Sequence, residues 1–153
     1  MTTVDRRTFL AQSAATTVAA AATTASAETR RVSRAAKPGK PKIKIGQIGT
    51  GHAHARGVFA QLKQVTDDFE LVGIVENDPE RRKAIGSEYQ GVKVITEEQL
   101  FNTKGLEAVV VETEVQDLLP TANRCIDAGV HIHLDKPAGE NLEDFEKLLK
   151  KAR

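Results

Sequence analysis

The chain has 153 residues, with 22 Lys and Arg against 21 Asp and Glu, and a formal net charge of +1. Hydrophobic residues make up 40% and charged residues 28%, a balance that suits one globular domain and excludes a wholly disordered chain. The single cysteine, Cys125, excludes an internal disulfide framework and every multi-cysteine metal cluster, and no apolar run reaches the ~20 residues of a membrane span. Charge is unevenly placed, since residues 28–44 carry seven basic side chains and one acidic, whereas residues 45–153 carry 13 and 19. With no concentration of positive charge on that larger part, a nucleic-acid-binding surface is not expected.

Residues 1–27 read as a removable leader. Arg6-Arg7 precede Thr8-Phe9-Leu10, a mildly apolar Ala/Thr/Val stretch follows, and Ala25-Ser26-Ala27 supplies a small-residue cleavage site. Asp5-Arg6-Arg7-Thr8-Phe9-Leu10 resembles a twin-arginine signal, which implies export to the periplasm or beyond. Residues 28–41 mix Arg, Lys, Ser and Ala with Pro38, Gly39 and Pro41 and show no periodicity, as expected of a flexible basic linker.

From residue 42 the pattern becomes strand and helix in alternation. Strands are expected at 43–48, 71–75, 92–95, 108–111 and 130–134, each short and rich in Val, Ile or Leu. Between them, helices are expected at 53–65, from Pro79 to Gly86 or Gly91, at 97–101 and at 116–128, with Pro120 in the first turn of the last of these. An amphipathic helix at 142–152 closes the series. Five such rounds predict an α/β fold with a doubly wound parallel sheet, a Rossmann-type dinucleotide-binding domain over 42–153.

Gly49-Thr50-Gly51-His52-Ala53-His54 lies where the first strand becomes the first helix. The first glycine permits the tight turn, and the second lets backbone N–H groups approach a pyrophosphate at the positive helix end. Glu76 ends the second strand 25 residues beyond Gly51, where a carboxylate can accept bonds from the adenosine ribose and repel a 2′-phosphate. NAD is therefore the expected cofactor, with NADP left open by Arg81 and Arg82 nearby. His54 stands where a third Gly or Ala is usual.

Towards the C-terminus, Ala128-Gly129, His131 and Asp135-Lys136-Pro137 resemble the signature of the Gfo/Idh/MocA (glucose–fructose oxidoreductase/inositol dehydrogenase) family, with Asp in place of the first residue of Glu-Lys-Pro. Thr113, 22 residues before Asp135, matches the threonine that ends the family's fourth strand, while Glu114 and Leu118 replace its usual Pro and His. The resemblance covers 42–153 and implies an oxidoreductase that moves a hydride between a nicotinamide cofactor and a sugar, cyclitol or related alcohol. It also implies a second, substrate-holding α/β domain that these residues do not include. By the same resemblance Lys136 is the residue beside the nicotinamide and the proton-transfer candidate. The cofactor-binding set is Gly49, Thr50, Gly51, His52, Ala53, Glu76, Thr113 and Lys136. The other reading is a non-catalytic nucleotide-binding module that docks on a partner, and oligomerisation is open.

His52-x-His54 and His131-x-His133 are two i, i+2 pairs, but no carboxylate or cysteine in sequence completes either at a recurring metal-ligand spacing, so no metal is expected. His52 is read as a neighbour of the pyrophosphate, His131 as a packed strand-end residue, and Cys125 as a core side chain of its helix.

Overall fold

The computed structural model describes residues 39–153; the leader and the linker up to residue 38 lie outside the described residues. Four strands form one parallel sheet in the order β2-β1-β3-β4. They are β1 (Ile43–Ile48), β2 (Phe69–Val75), β3 (Leu106–Val111) and β4 (His131–Leu134). The helices are α1 (Ala55–Leu62), α2 (Pro79–Glu88), α3 (Glu97–Phe101), α4 (Val115–Asp127) and α5 (Leu142–Lys151). Among the described residues no helix is long and apolar enough to cross a membrane.

The expected strand at 92–95 is not a strand. Val94 makes a single parallel bridge to Ile74. Two hydrogen bonds close it, from Ile74 N–H to Lys93 O and from Ile95 N–H to Ile74 O, both at 2.9 Å. The segment cannot extend because Thr96 already caps α3, its hydroxyl accepting from Gln99 N–H while the Gln99 side chain accepts from Thr96 N–H. The helix expected at 53–65 is shorter at both ends. It closes early because Gln64 and Val65 N–H groups both turn back to Gln61 O. Val65 remains exposed, so no burial favours another turn. Gly86 does not end α2, and Pro120 lies inside α4, beyond its first turn.

Both faces of the sheet are covered, which explains the continuous apolar runs. One side packs Ile48, Val75, Leu100, Val109, Val111, Leu118 and Cys125, and the other packs Ile45, Leu62 and Val110 against α1. Cys125 is fully buried, and desolvation pushes its thiol up to about 12, so it is a core side chain and not a nucleophile at neutral pH. His131, by contrast, is exposed and not packed at the strand end. A strand of only four residues buries one face, and Ile132 and Leu134 occupy it.

The register is what positions the site. Ile48 pairs with Val75 on one side and Val111 on the other, and Val111 pairs with Leu134. The four strands therefore end in one row. The next residue in each case is Gly49, Glu76, Glu112 or Asp135. Parallel pairing thus brings a glycine turn and three carboxyl groups to the carboxyl edge of the sheet, where ligands bind in doubly wound folds.

Candidate functional site

At the end of β1 the chain turns at Gly49, whose φ is +90°. A side chain there would be strained, and a Cβ would stand 2.6 Å from the Thr113 backbone nitrogen. Gly49 N–H donates to Val75 O at 2.7 Å, and buried Gln47 donates from Nε2 to Gly49 O at 3.0 Å. Gln47 was not singled out from sequence. Its place in a strand of apolar residues, pointing into the core, is the signal that marks it as a brace for the turn.

Glu76 is buried and joined to the same turn. Its Oε2 accepts from Thr50 N–H at 2.8 Å and from the Thr50 hydroxyl at 2.5 Å, while Oε1 accepts from Asp78 N–H at 2.9 Å. Asp78 in turn caps α2, accepting from Glu80 and Arg81 N–H groups, and these bonds hold its carboxyl below the usual range. Gly51 faces an ion pair. Arg81 Nη1 donates to Glu114 Oε1 at 2.8 Å, and a Cβ on Gly51 would touch both side chains. Arg81 Nε also lies 3.6 Å from Glu76 Oε2.

These residues line a cavity of about 270 Å³ between the ends of β1 and β3, with Gly49, Gly51, Glu76, Arg81, Thr113 and Glu114 on its wall. Thr50, His52 and Ala53 do not line it; they border a cleft of about 160 Å³ on the other side of the loop, towards α2. Arg81 lies on both. Leu118, where the family pattern has a histidine, is fully buried in the core and lines neither of them.

The other end of the row holds a second cluster. His52 Nδ1 lies 2.9 Å from Asp135 Oδ2 and 3.7 Å from Glu112 Oε2. His54 Nδ1 reaches Asp135 Oδ2 at 2.9 Å. Asp135 Oδ1 accepts from Lys136 N–H at 2.6 Å. Burial opposes ionisation of Asp135, but the Lys136 amide and the His54 ring outweigh it and hold the carboxyl below its usual range. Glu112 is fully buried, and desolvation, then the charge of Asp135, push it up to about 8. Lys136 itself is exposed, beyond Asp135, and is absent from the walls of both clefts.

The histidines therefore do not assemble as two matching pairs. The first pair is completed by Asp135, a carboxylate 81 residues from His54, which sequence spacing could not reveal. His131 takes no part in that group, and His133 only borders a groove shared with His54 and Asp135.

Residues 43–153 match the family model for Gfo/Idh/MocA, described as an oxidoreductase family with an NAD-binding Rossmann fold. The uncharacterized oxidoreductase YdgJ of Escherichia coli (strain K12) is 31% identical over 107 residues, or 69% of this chain and 30% of that protein. A putative oxidoreductase from Erwinia carotovora atroseptica SCRI1043 superimposes with a TM-score of 0.64 at 26% identity, over 72% of this chain and 33% of its own. The WlbA dehydrogenase from Bordetella pertussis, solved in complex with NADH and UDP-GlcNAcA, shares the fold with a TM-score of 0.63 at 23% identity, over 73% and 34% of the two chains. This chain thus spans about a third of the length of the proteins it matches.

Proposed function

Because the chain belongs to the Gfo/Idh/MocA family of oxidoreductases, as its NAD-binding Rossmann domain, we propose that it binds NAD(H) in preference to NADP(H). In the complete enzyme it presents the nicotinamide to a sugar or polyol. The observation that carries this reading is the coupling of Gly49-Thr50-Gly51 to Glu76 between the ends of β1 and β2. The residues suit a dinucleotide: the turn has no Cβ at two of its three positions, and a cavity opens against it. A carboxylate offers about four lone-pair sites. Three of those on Glu76 are taken by Thr50 and Asp78, which leaves one for a ribose hydroxyl. The guanidinium of Arg81 is engaged with Glu114, not left free for a 2′-phosphate.

The bound cofactor supplies the hydride chemistry, and the residues of this chain bind and orient it. Gly49 and Gly51 admit the backbone to the pyrophosphate, Glu76 holds the turn and the ribose, and Thr113 closes the wall opposite Gly49. Lys136, fixed at its backbone by Asp135, is the group available for proton transfer to a substrate hydroxyl.

Titration of the chain with NADH and NADPH, followed by the emission of the reduced nicotinamide, tests the preference. The chain has no tryptophan to interfere. NADH is expected to bind more tightly, and Glu76→Gln, which keeps the shape and removes the charge, is expected to narrow the gap about tenfold, or about 1.4 kcal/mol. An NADPH preference in the unsubstituted chain contradicts the assignment.

The leader at 1–27 is proposed to direct export by the twin-arginine route. Replacing Arg6-Arg7 by Lys-Lys is expected to retain the precursor in the cytoplasm, which cell fractionation detects; unchanged export opposes the proposal.

A further inference from the structure

We propose that His52, His54 and Asp135, with Glu112 behind them, form a binding site for a divalent first-row transition-metal ion of the zinc class. One ring nitrogen of each imidazole and a carboxylate oxygen of Asp135 all lie within 4.8 Å of one another. A tetrahedral ion with bonds of about 2.0–2.2 Å needs donor atoms roughly 3.4 Å apart. The separations from His52 Nδ1, 2.9 Å to Asp135 and 3.7 Å to Glu112, bracket that edge. Closing separations of up to 4.8 Å among the three residues to that edge takes side-chain movements of about 1 Å.

A further observation points to a ligand. Independently, Glu112 is fully buried, and no N–H or hydroxyl donor reaches either of its oxygens among the described residues. Its Oε2 faces His52 Nδ1. A buried carboxylate without a donor is costly, and it is relieved either by a proton shared with Asp135 or by coordination to a cation.

The donor set selects the ion. Imidazole nitrogen with carboxylate oxygen suits Zn²⁺, Co²⁺, Ni²⁺ or Fe²⁺, whereas Ca²⁺ and Mg²⁺ take oxygen shells. The ligands come from the loop before α1, the end of β3 and the end of β4. A bound ion would therefore fasten the loop that follows the glycine turn to the Asp135-Lys136 end of the sheet. This inference uses only the residues of the cluster and stands whether or not the cofactor preference above is correct.

The test uses the full chain, stripped with a chelator, and two probes. Zn²⁺ binding is measured by calorimetry, and Co²⁺ by its visible ligand-field absorption, which reports coordination directly. One equivalent is expected to bind, with the intense bands of a four-coordinate site. His52→Ala and His54→Ala are each expected to weaken Zn²⁺ at least a hundredfold, and isosteric Glu112→Gln about tenfold. His131→Ala, on the exposed face of β4, should leave affinity unchanged. His54 is itself half-exposed, so its variant keeps the test valid if the buried positions do not tolerate change. No binding by the stripped chain, or binding that survives both His52→Ala and His54→Ala, overturns the proposal. In the first case the cluster is a proton shared between Glu112 and Asp135; in the second the ion sits elsewhere.

Discussion

Gly49→Ala is expected to abolish measurable NADH binding and to lower stability by about 2–5 kcal/mol. Two costs combine at this position. A non-glycine residue in the left-handed region costs about 1–2 kcal/mol, and Gly49 has a φ of +90°. The added methyl would also stand 2.6 Å from Thr113 N and 2.8 Å from the Glu112 carbonyl carbon. These are backbone atoms of a central strand end, not the tip of a flexible side chain, so relief requires β1 and β3 to part, and such overpacking costs about 1–3 kcal/mol. Binding suffers beyond stability, because the same displacement moves the wall between the glycine turn and Thr113. Gly129→Ala is the comparison. Its φ is +73°, but nothing lies within 4 Å of the new atom, so it should pay the backbone cost alone. Thermal melts of the two variants with NADH titrations on each would separate the contributions. Equal destabilisation by both would mean that the contact with Thr113 carries no weight.

The second large effect is a separation of binding from turnover. The 153-residue chain, given NAD and a panel of polyols, is expected to bind the cofactor yet reduce it at no useful rate. Binding draws on Gly49, Gly51 and Glu76, which belong to one strand–helix–strand unit and are already tied together by Thr50 and Asp78. Turnover requires the alcohol carbon about 3–3.5 Å from the nicotinamide, and such positioning contributes about 7–11 kcal/mol. Losing about 7 kcal/mol amounts to about five powers of ten in rate. Lys136, the proton-transfer candidate that the family resemblance assigns, is exposed, so its charge acts through water and not in a closed site. Steady formation of reduced cofactor that disappears in Lys136→Ala would show that these residues are an enzyme by themselves.

Much of this was legible in the sequence because it is local. Gly49, Gly51 and Glu76 announce themselves by spacing around two apolar strands, and parallel alternation then dictates that Ile48, Val75 and Val111 end in line. The strand expected at 92–95 failed for an equally local reason, the capping box at Thr96, which ends the extended segment after a single bridge. What the sequence could not disclose is set by register between distant segments. Asp135 meets His52 only because β4 pairs with β3 so that Leu134 stands opposite Val111. Glu114 meets Arg81 across Gly51 for the same kind of reason, and the carboxylate that sequence spacing did not supply to the histidine pair comes from 81 residues away.

We propose that the cofactor lies on the Gly49–Gly51 turn between β1 and β3. Backbone amide shifts of the isotopically labelled chain, recorded during addition of NADH, test it most directly. Saturable shifts are expected at Gly49, Thr50, Gly51, Asn77 and Thr113, with α5 unmoved. Shifts confined to other surfaces, or none at NADH concentrations that saturate related dehydrogenases, would contradict it.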